Sequence, residues 1–207
     1  MTLSEAVLPG EKQILQTASA VEARGIHVEI VETGAQALEA LRRLIPAGAT
    51  VMTASSQSLK EIGFEALLAS NEHPWVNLKP DILAEADTER RLALRRKSVL
   101  ADTTVGSVQA IAESGELVVV SGSGSQIPAF AFSSPNVIWV AGIQKIVPTL
   151  EDALRRIREH SLPHAQALGR AAGKHDIRVG KLLIFEHESA QSGRSIHLIL
   201  VRERLGV

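Results

Sequence analysis

Residues 26–53, IHVEIVETGAQALEALRRLIPAGATVMT, hold a period-two run, a helical run and a short apolar run in succession. Ile26–Val31 alternates apolar and polar side chains, the pattern of a strand. Ala37, Leu38, Leu41 and Leu44 then recur on one helical face, and Pro46 and Gly48 stop that helix. Thr50–Thr53 reads as a second, buried strand. A β-α-β order within ~30 residues is a crossover unit, which places its strands parallel in one sheet.

On the N-terminal side, Ile14, Leu15, Ala18 and Val21 predict a helix within Val7–Arg24, ending at Gly25. On the other side, helices are expected over Leu59–Ser70 and through the charged stretch Asp81–Leu100. Strands follow at Thr103–Val105, Leu117–Val120 and Val137–Val140. Thr149 is the expected N-cap of a helix over Leu150–Glu159, with Asp152 three residues on. Ser161–Gly180 is polar, with Pro163 and three glycines. Leu182–Phe185 and Ile196–Val201, with Ser192-Gly193 between them, read as an antiparallel hairpin at one edge. The expectation is one α/β domain over residues 1–207 with a mostly parallel sheet.

Composition agrees. Of 207 residues 45% are apolar and only 3% aromatic, so the core is aliphatic, as in strands buried on both faces. Formal net charge is −1, without the basic surplus a polyanion partner demands, so no nucleic acid is expected. The absence of cysteine rules out disulfides, thiol nucleophiles and thiolate-held metal on this chain. Met1–Gly10 lacks the pattern of a signal peptide and no apolar run approaches ~18 residues. A cytoplasmic location off the membrane is the expectation.

Open α/β sheets take ligands beyond the carboxyl ends of their strands, so candidate chemistry is sought there. Ser55, Ser56 and Ser58 follow the strand at Thr50–Thr53 and could cradle a carboxylate or phosphate, or simply cap a helix. Gly122, Ser123, Gly124, Ser125 and Gln126 follow LVVV; small residues there let backbone amides approach a ligand. The spacing fits neither a dinucleotide fingerprint nor a Walker loop. Gln144 and Lys145 follow VIWV, where Lys145 could meet an anion or be merely solvated. Glu113, in Glu113-Ser114-Gly115, is a candidate base or nucleophile, or part of an ordinary turn. His160 and His164 have the spacing of helical metal ligands, but Pro163 is expected to interrupt the helix, so no metal site is assigned. Arg90, Arg91, Arg95, Arg96 and Lys97 read as a solvated helix face.

These residues carry a resemblance. Ala101-Asp102 and Val105–Val118 resemble the signature of the LUD-domain (lactate-utilisation) family, as do Gly124–Ala129 and Val137–Val147. Ser55–Gly63 looks like the family's Ser-x-Ser/Thr-Leu-x-Glu-Ile-Gly segment. Gly193-Arg194, Leu198–Val201 and Leu205-Gly206 are similar to its closing strand. The matches span residues 50–207. Thr53-Ala54 stands where the family often has Gly-Gly, and Ser192-Gly193-Arg194 where Pro-Gly-Arg is common. The resemblance implies a Rossmann-like three-layer sandwich similar to the sugar-phosphate isomerase and CoA-transferase group. It also implies a subunit of a lactate or other 2-hydroxyacid oxidation system that binds a small organic acid. Partner proteins would carry the iron–sulfur clusters, with no cofactor on this chain. In CoA transferases a glutamate nucleophile sits in a Glu-Asn-Gly turn, which Glu113-Ser114-Gly115 resembles. Two alternatives stay open: a stand-alone enzyme on a small carboxylate, sugar phosphate or acyl-CoA, and a metabolite-sensing or scaffolding module. Either could form a homo-oligomer.

Overall fold

The computed structural model describes residues 8–70, 72–173 and 176–207. Its first half runs α1 (Glu11–Glu22), β1 (His27–Val31), α2 (Gly34–Leu44), β2 (Thr50–Thr53), α3 (Gln57–Glu61), α4 (Phe64–Ser70), β3 (Val76–Asn77), α5 (Lys79–Ala84) and α6 (Thr88–Lys97). Then come β4 (Thr103–Gly106), β5 (Ala110–Ala112), β6 (Leu117–Ser121), β7 (Asn136–Gly142) and β8 (Ile146–Val147). The chain closes with α7 (Leu150–Arg156), α8 (Leu162–Ala171), β9 (Lys181–Phe185) and β10 (Ser195–Val201). The expected N-terminal helix is seen as α1; Val7 and the rest of Met1–Val7 lie outside the described residues.

Six strands form one sheet in the order β1-β10-β7-β4-β2-β3, and every pairing in it is parallel. A smaller mixed sheet runs β8-β5-β6-β9. The crossover unit over residues 26–53 is present, but its two strands are not neighbours; β10, β7 and β4 lie between them.

Alternation along the strands sorts the core into layers. Ile138, Val140, Ile199 and Val201 face α2, α3 and α4. Val137, Trp139, Ala141, Ile196, Leu198 and Leu200 face α1 and the small sheet. The arrangement is Rossmann-like: helices, parallel sheet, then α1 with the small sheet, whose outer face is covered by Ala153 of α7 and by Ile157 just beyond it.

The expected C-terminal hairpin is not formed. β9 is an edge strand of the small sheet, paired with β6, whereas β10 lies inside the parallel sheet between β1 and β7. Leu198–Val201 is apolar at every position and buried on both faces, which marks an interior parallel strand rather than a half-solvated edge. The connection, residues 186–194, is also longer than a hairpin loop, and Gly193 turns it at φ +69°.

Three helical boundaries differ from expectation. Gly63, at φ +81°, splits Leu59–Ser70 into α3 and α4. Asp87 accepts the Arg90 amide at 2.8 Å and so starts α6 anew, dividing Asp81–Leu100. The polar stretch from Ser161 is helical to Ala171: α7 passes through a π-helical turn, Ile157–Ser161, into α8. Pro163 falls in the first turn of α8, where its missing N–H is tolerated, so it does not break the path. Thr149 caps α7 as expected, accepting the Asp152 amide at 3.1 Å. Among the described residues no helix is long and apolar enough to cross a membrane.

Candidate functional site

β4 and β7 leave the parallel sheet at its carboxyl edge and cross directly to the small sheet. Ser107 follows β4, and Lys145 ends the 3₁₀ turn between β7 and β8. The loop after β2 brings Ser58 to the same point. Lys145 is 2% exposed, and its Nζ donates to Ser58 Oγ and to Ser107 Oγ, each at 3.0 Å. The two hydroxyls are 3.3 Å apart, and Ser58 Oγ also donates to the Leu205 carbonyl. Gly206, at φ +67°, closes this cluster from the side; a Cβ there would lie 2.3 Å from Ser58 Oγ. The Gly206 amide donates to Glu61 Oε2 at 2.6 Å, tying the segment to the end of α3.

The cluster lines a cavity of about 590 Å³, whose wall also carries Lys60, Glu65, Lys79 and Arg178. Ser55, Ser56, Ser58, Gly122 and Lys145, all expected from the sequence, line it. Ser56 also caps α3 by accepting the Leu59 amide. The other expected residues lie elsewhere. Ser123 and Ser125 bond Arg95, Gln126 accepts from Ser121, and Gly124 packs on the Lys181 side chain. Gln144 donates to the Leu205 carbonyl at 2.8 Å, so it holds the C-terminal segment rather than facing the cavity. Glu113 sits at the turn after β5, where it accepts from Gln13 at 2.6 Å, away from the cavity.

Sequence reasoning missed Ser107, Gln109, Arg156 and Ser161. Ser107 obeys the rule that found the others, since it immediately follows a buried strand. Arg156 is signalled only by spacing: with Ala153 and Ile157 it falls on the buried stripe at i, i+3 and i+4. It is 4% exposed and donates to the Gln109 carbonyl at 2.6 Å and Ser161 Oγ at 3.1 Å, both residues of the cavity wall.

The two buried charges beside the cavity are both basic. Among the described residues, neither Lys145 nor Arg156 has a carboxylate within ion-pairing distance. Burial, then the nearby Arg156 charge, bring the Lys145 ammonium down to about 7, with Glu61 opposing. Burial also lowers Arg156 to about 10. His160 is pushed down by burial and by Arg156, His164 and Lys145. Burial drives all three downward shifts, and neighbouring positive charge adds to those of Lys145 and His160. Although His160 and His164 share one helical path, no group of three or more potential metal ligands is assembled among the described residues.

Fold and site together define an α/β protein with a cationic cavity at the carboxyl edge of a parallel sheet. The chain belongs to the LUD-domain family, whose profile matches residues 14–173. A DUF162 family protein from Deinococcus radiodurans has the same fold, with TM-score 0.56 at 14% identity over 94% of this chain and 99% of that one. eIF2B beta from Chaetomium thermophilum aligns over 68% of this chain and 46% of its own, at 16% identity and TM-score 0.30. No curated protein matches significantly.

Proposed function

We propose that this chain binds a small organic acid in the cavity at the carboxyl edge, as the acid-binding component of a lactate or other 2-hydroxyacid utilisation system. One observation carries the reading: among the described residues neither buried cation, Lys145 nor Arg156, has a carboxylate within ion-pairing distance, and Lys145 lines the cavity. A buried charge is costly until it is paired, and a carboxylate entering beside Ser58, Ser107 and Lys145 supplies the pairing. A 2-hydroxyl group suits the same cluster, where serine hydroxyls can donate or accept. The cysteine-free chain would leave electron transfer to iron–sulfur partner proteins, and a cytoplasmic setting is part of the same proposal.

Calorimetric titration with lactate and pyruvate, against lactamide as the uncharged control, tests this. The acids should bind wild type and lose at least tenfold in affinity in Lys145→Met, with lactamide inert in both. Acids that bind Lys145→Met as tightly as wild type would overturn it. Anaerobic affinity purification from the native cell addresses the partners: an iron–sulfur protein recovered in near-equal amount supports the subunit role.

A stand-alone enzyme is the second reading, and one contact favours it. A lysine shared by two serine hydroxyls, with its ammonium near 7, can act as a base toward either of them. Labelling of Ser107 or Ser58 by a fluorophosphonate, lost in Lys145→Met, would support it; no labelling in wild type would remove it.

A further inference from the structure

α8 and the π-helical turn before it present a continuous apolar stripe, yet among the described residues of α8 only Gly169 is buried. Ile157, Leu162, Ala165, Leu168 and Ala172 recur at helical spacing, and all of them line the cavity. Val120, Ile177 and Val179 add further apolar lining. An amphipathic helix ordinarily turns such a stripe onto protein core. Here the stripe borders the cavity that Lys145, Ser58 and Ser107 also line.

Size points the same way. Lactate has six non-hydrogen atoms; at roughly 30 Å³ each, the share of a water in the liquid, it fills about 180 Å³. That is less than a third of the 590 Å³ present. The remainder, bounded in part by the aliphatic stripe, with Lys60, Glu65, Lys79, His164 and Arg178 also in the lining, has room for on the order of ten further carbons.

Resting on the acid-binding reading, we infer that the ligand is a 2-hydroxyacid with an apolar chain, its carboxylate at Lys145, Ser58 and Ser107 and its chain along α8. Lactate itself would occupy only the space beside that cluster. The charged cluster commits the occupant to an amphiphilic anion rather than a neutral lipid, and the aliphatic wall commits its far end to hydrocarbon.

Titration at pH 6.5 with lactate, 2-hydroxyhexanoate, 2-hydroxyoctanoate and 2-hydroxydecanoate tests this, with 1,2-octanediol as the uncharged match. Affinity should rise about fourfold per methylene until the space is filled. The diol should bind at least tenfold more weakly than 2-hydroxyoctanoate. Ala165→Leu, which fills part of the wall, should move the tightest-binding chain to a shorter length. Should that variant misfold, Leu168→Ser, at a position 49% exposed, should flatten the rise with chain length. A flat series in wild type, with lactate as tight as the octanoate, overturns the apolar chain and leaves acid binding standing. Equal binding of the diol overturns the amphiphilic anion. If no acid of any length binds, the acid-binding reading itself falls and this inference with it.

Discussion

Under the proposed acid-binding role, Lys145 is the residue on which stability and binding pull in opposite directions. Its ammonium at about 7 lies well below the value near 10.4 of an exposed lysine. Between those values the unfolded chain holds more protons than the folded one, so stability should rise with pH across that window. Below about 7 both states are protonated and the full cost of burying the charge, on the order of a few kcal/mol, is present. Lys145→Met should therefore raise stability by about 2 kcal/mol at pH 6, after about 1 kcal/mol is lost at each serine hydroxyl. The gain should vanish towards pH 10, which urea melts at pH 6, 8 and 10 would show; a gain that persists at pH 10 contradicts the burial argument. Binding takes the opposite sign. An acid needs the charged form, so affinity should fall by up to about tenfold per pH unit above 7, with proton uptake in buffers of different ionisation enthalpy. Gly206 sets the other limit at this site. A methyl there meets both Ser58 Oγ and, at 3.3 Å, Lys145 Nζ, with the backbone at φ +67°. Gly206→Ala should cost roughly 1–3 kcal/mol and abolish acid binding, read from melting curves and titration.

Among elements, the loop before β10 depends on Arg194. Its guanidinium pairs with Glu188 at 2.8 Å, with side chains 6% and 10% exposed, and donates to the carbonyls of Ala129, Phe130, Ala131 and Ser134. One planar fork thus fastens the end of the loop to a π-helical turn more than fifty residues earlier. Arg194→Ala leaves Glu188 buried and uncompensated and should cost about 3–5 kcal/mol, with Arg194→Lys giving little rescue, since an ammonium cannot span those acceptors. Denaturant melts of both variants check this; full rescue by lysine would show that charge alone matters. Here the sequence was legible in part. Ser192-Gly193 is legible as a turn, but a turn signal does not say which strands it joins. The same gap explains α8: a proline and polar neighbours suggested a loop, while a single π-helical turn carried the helix through. Element identity followed from periodicity, whereas element partnership depended on contacts far apart in the chain, such as Arg24 with the Ser114 carbonyl. Ser55, Ser56 and Ser58 after β2 and Lys145 after β7 are legible as candidates because strand ends are local features. Arg156 and the stripe on α8 became site residues only through the packing of the helices that carry them.

For the whole molecule, β10 is the strand on which the sheet depends. It is the last strand in the chain and yet joins β1 to β7, so the parallel sheet closes only after the C-terminal segment has arrived. Leu198, Ile199 and Leu200 are each at most 1% exposed and contribute to the cores on both faces. The carboxyl end of β10 also delivers Leu205 and Gly206 to the Ser58–Lys145 cluster, so a fault in the strand reaches the site. β9, by contrast, has one partner and a half-exposed surface, with Leu182 at 40%. Truncations should therefore separate the two strands that local pattern alone placed together. Leu198→Ala or Ile199→Ala should cost about 2–5 kcal/mol, and Leu182→Ala less than about 1 kcal/mol. Hydrogen exchange should follow the same division: β10 amides released only by global unfolding, and those of β9 by local opening at much lower free energy. If β9 and β10 exchanged together with equal protection, they would behave as one unit, and the interior placement of β10 would be wrong.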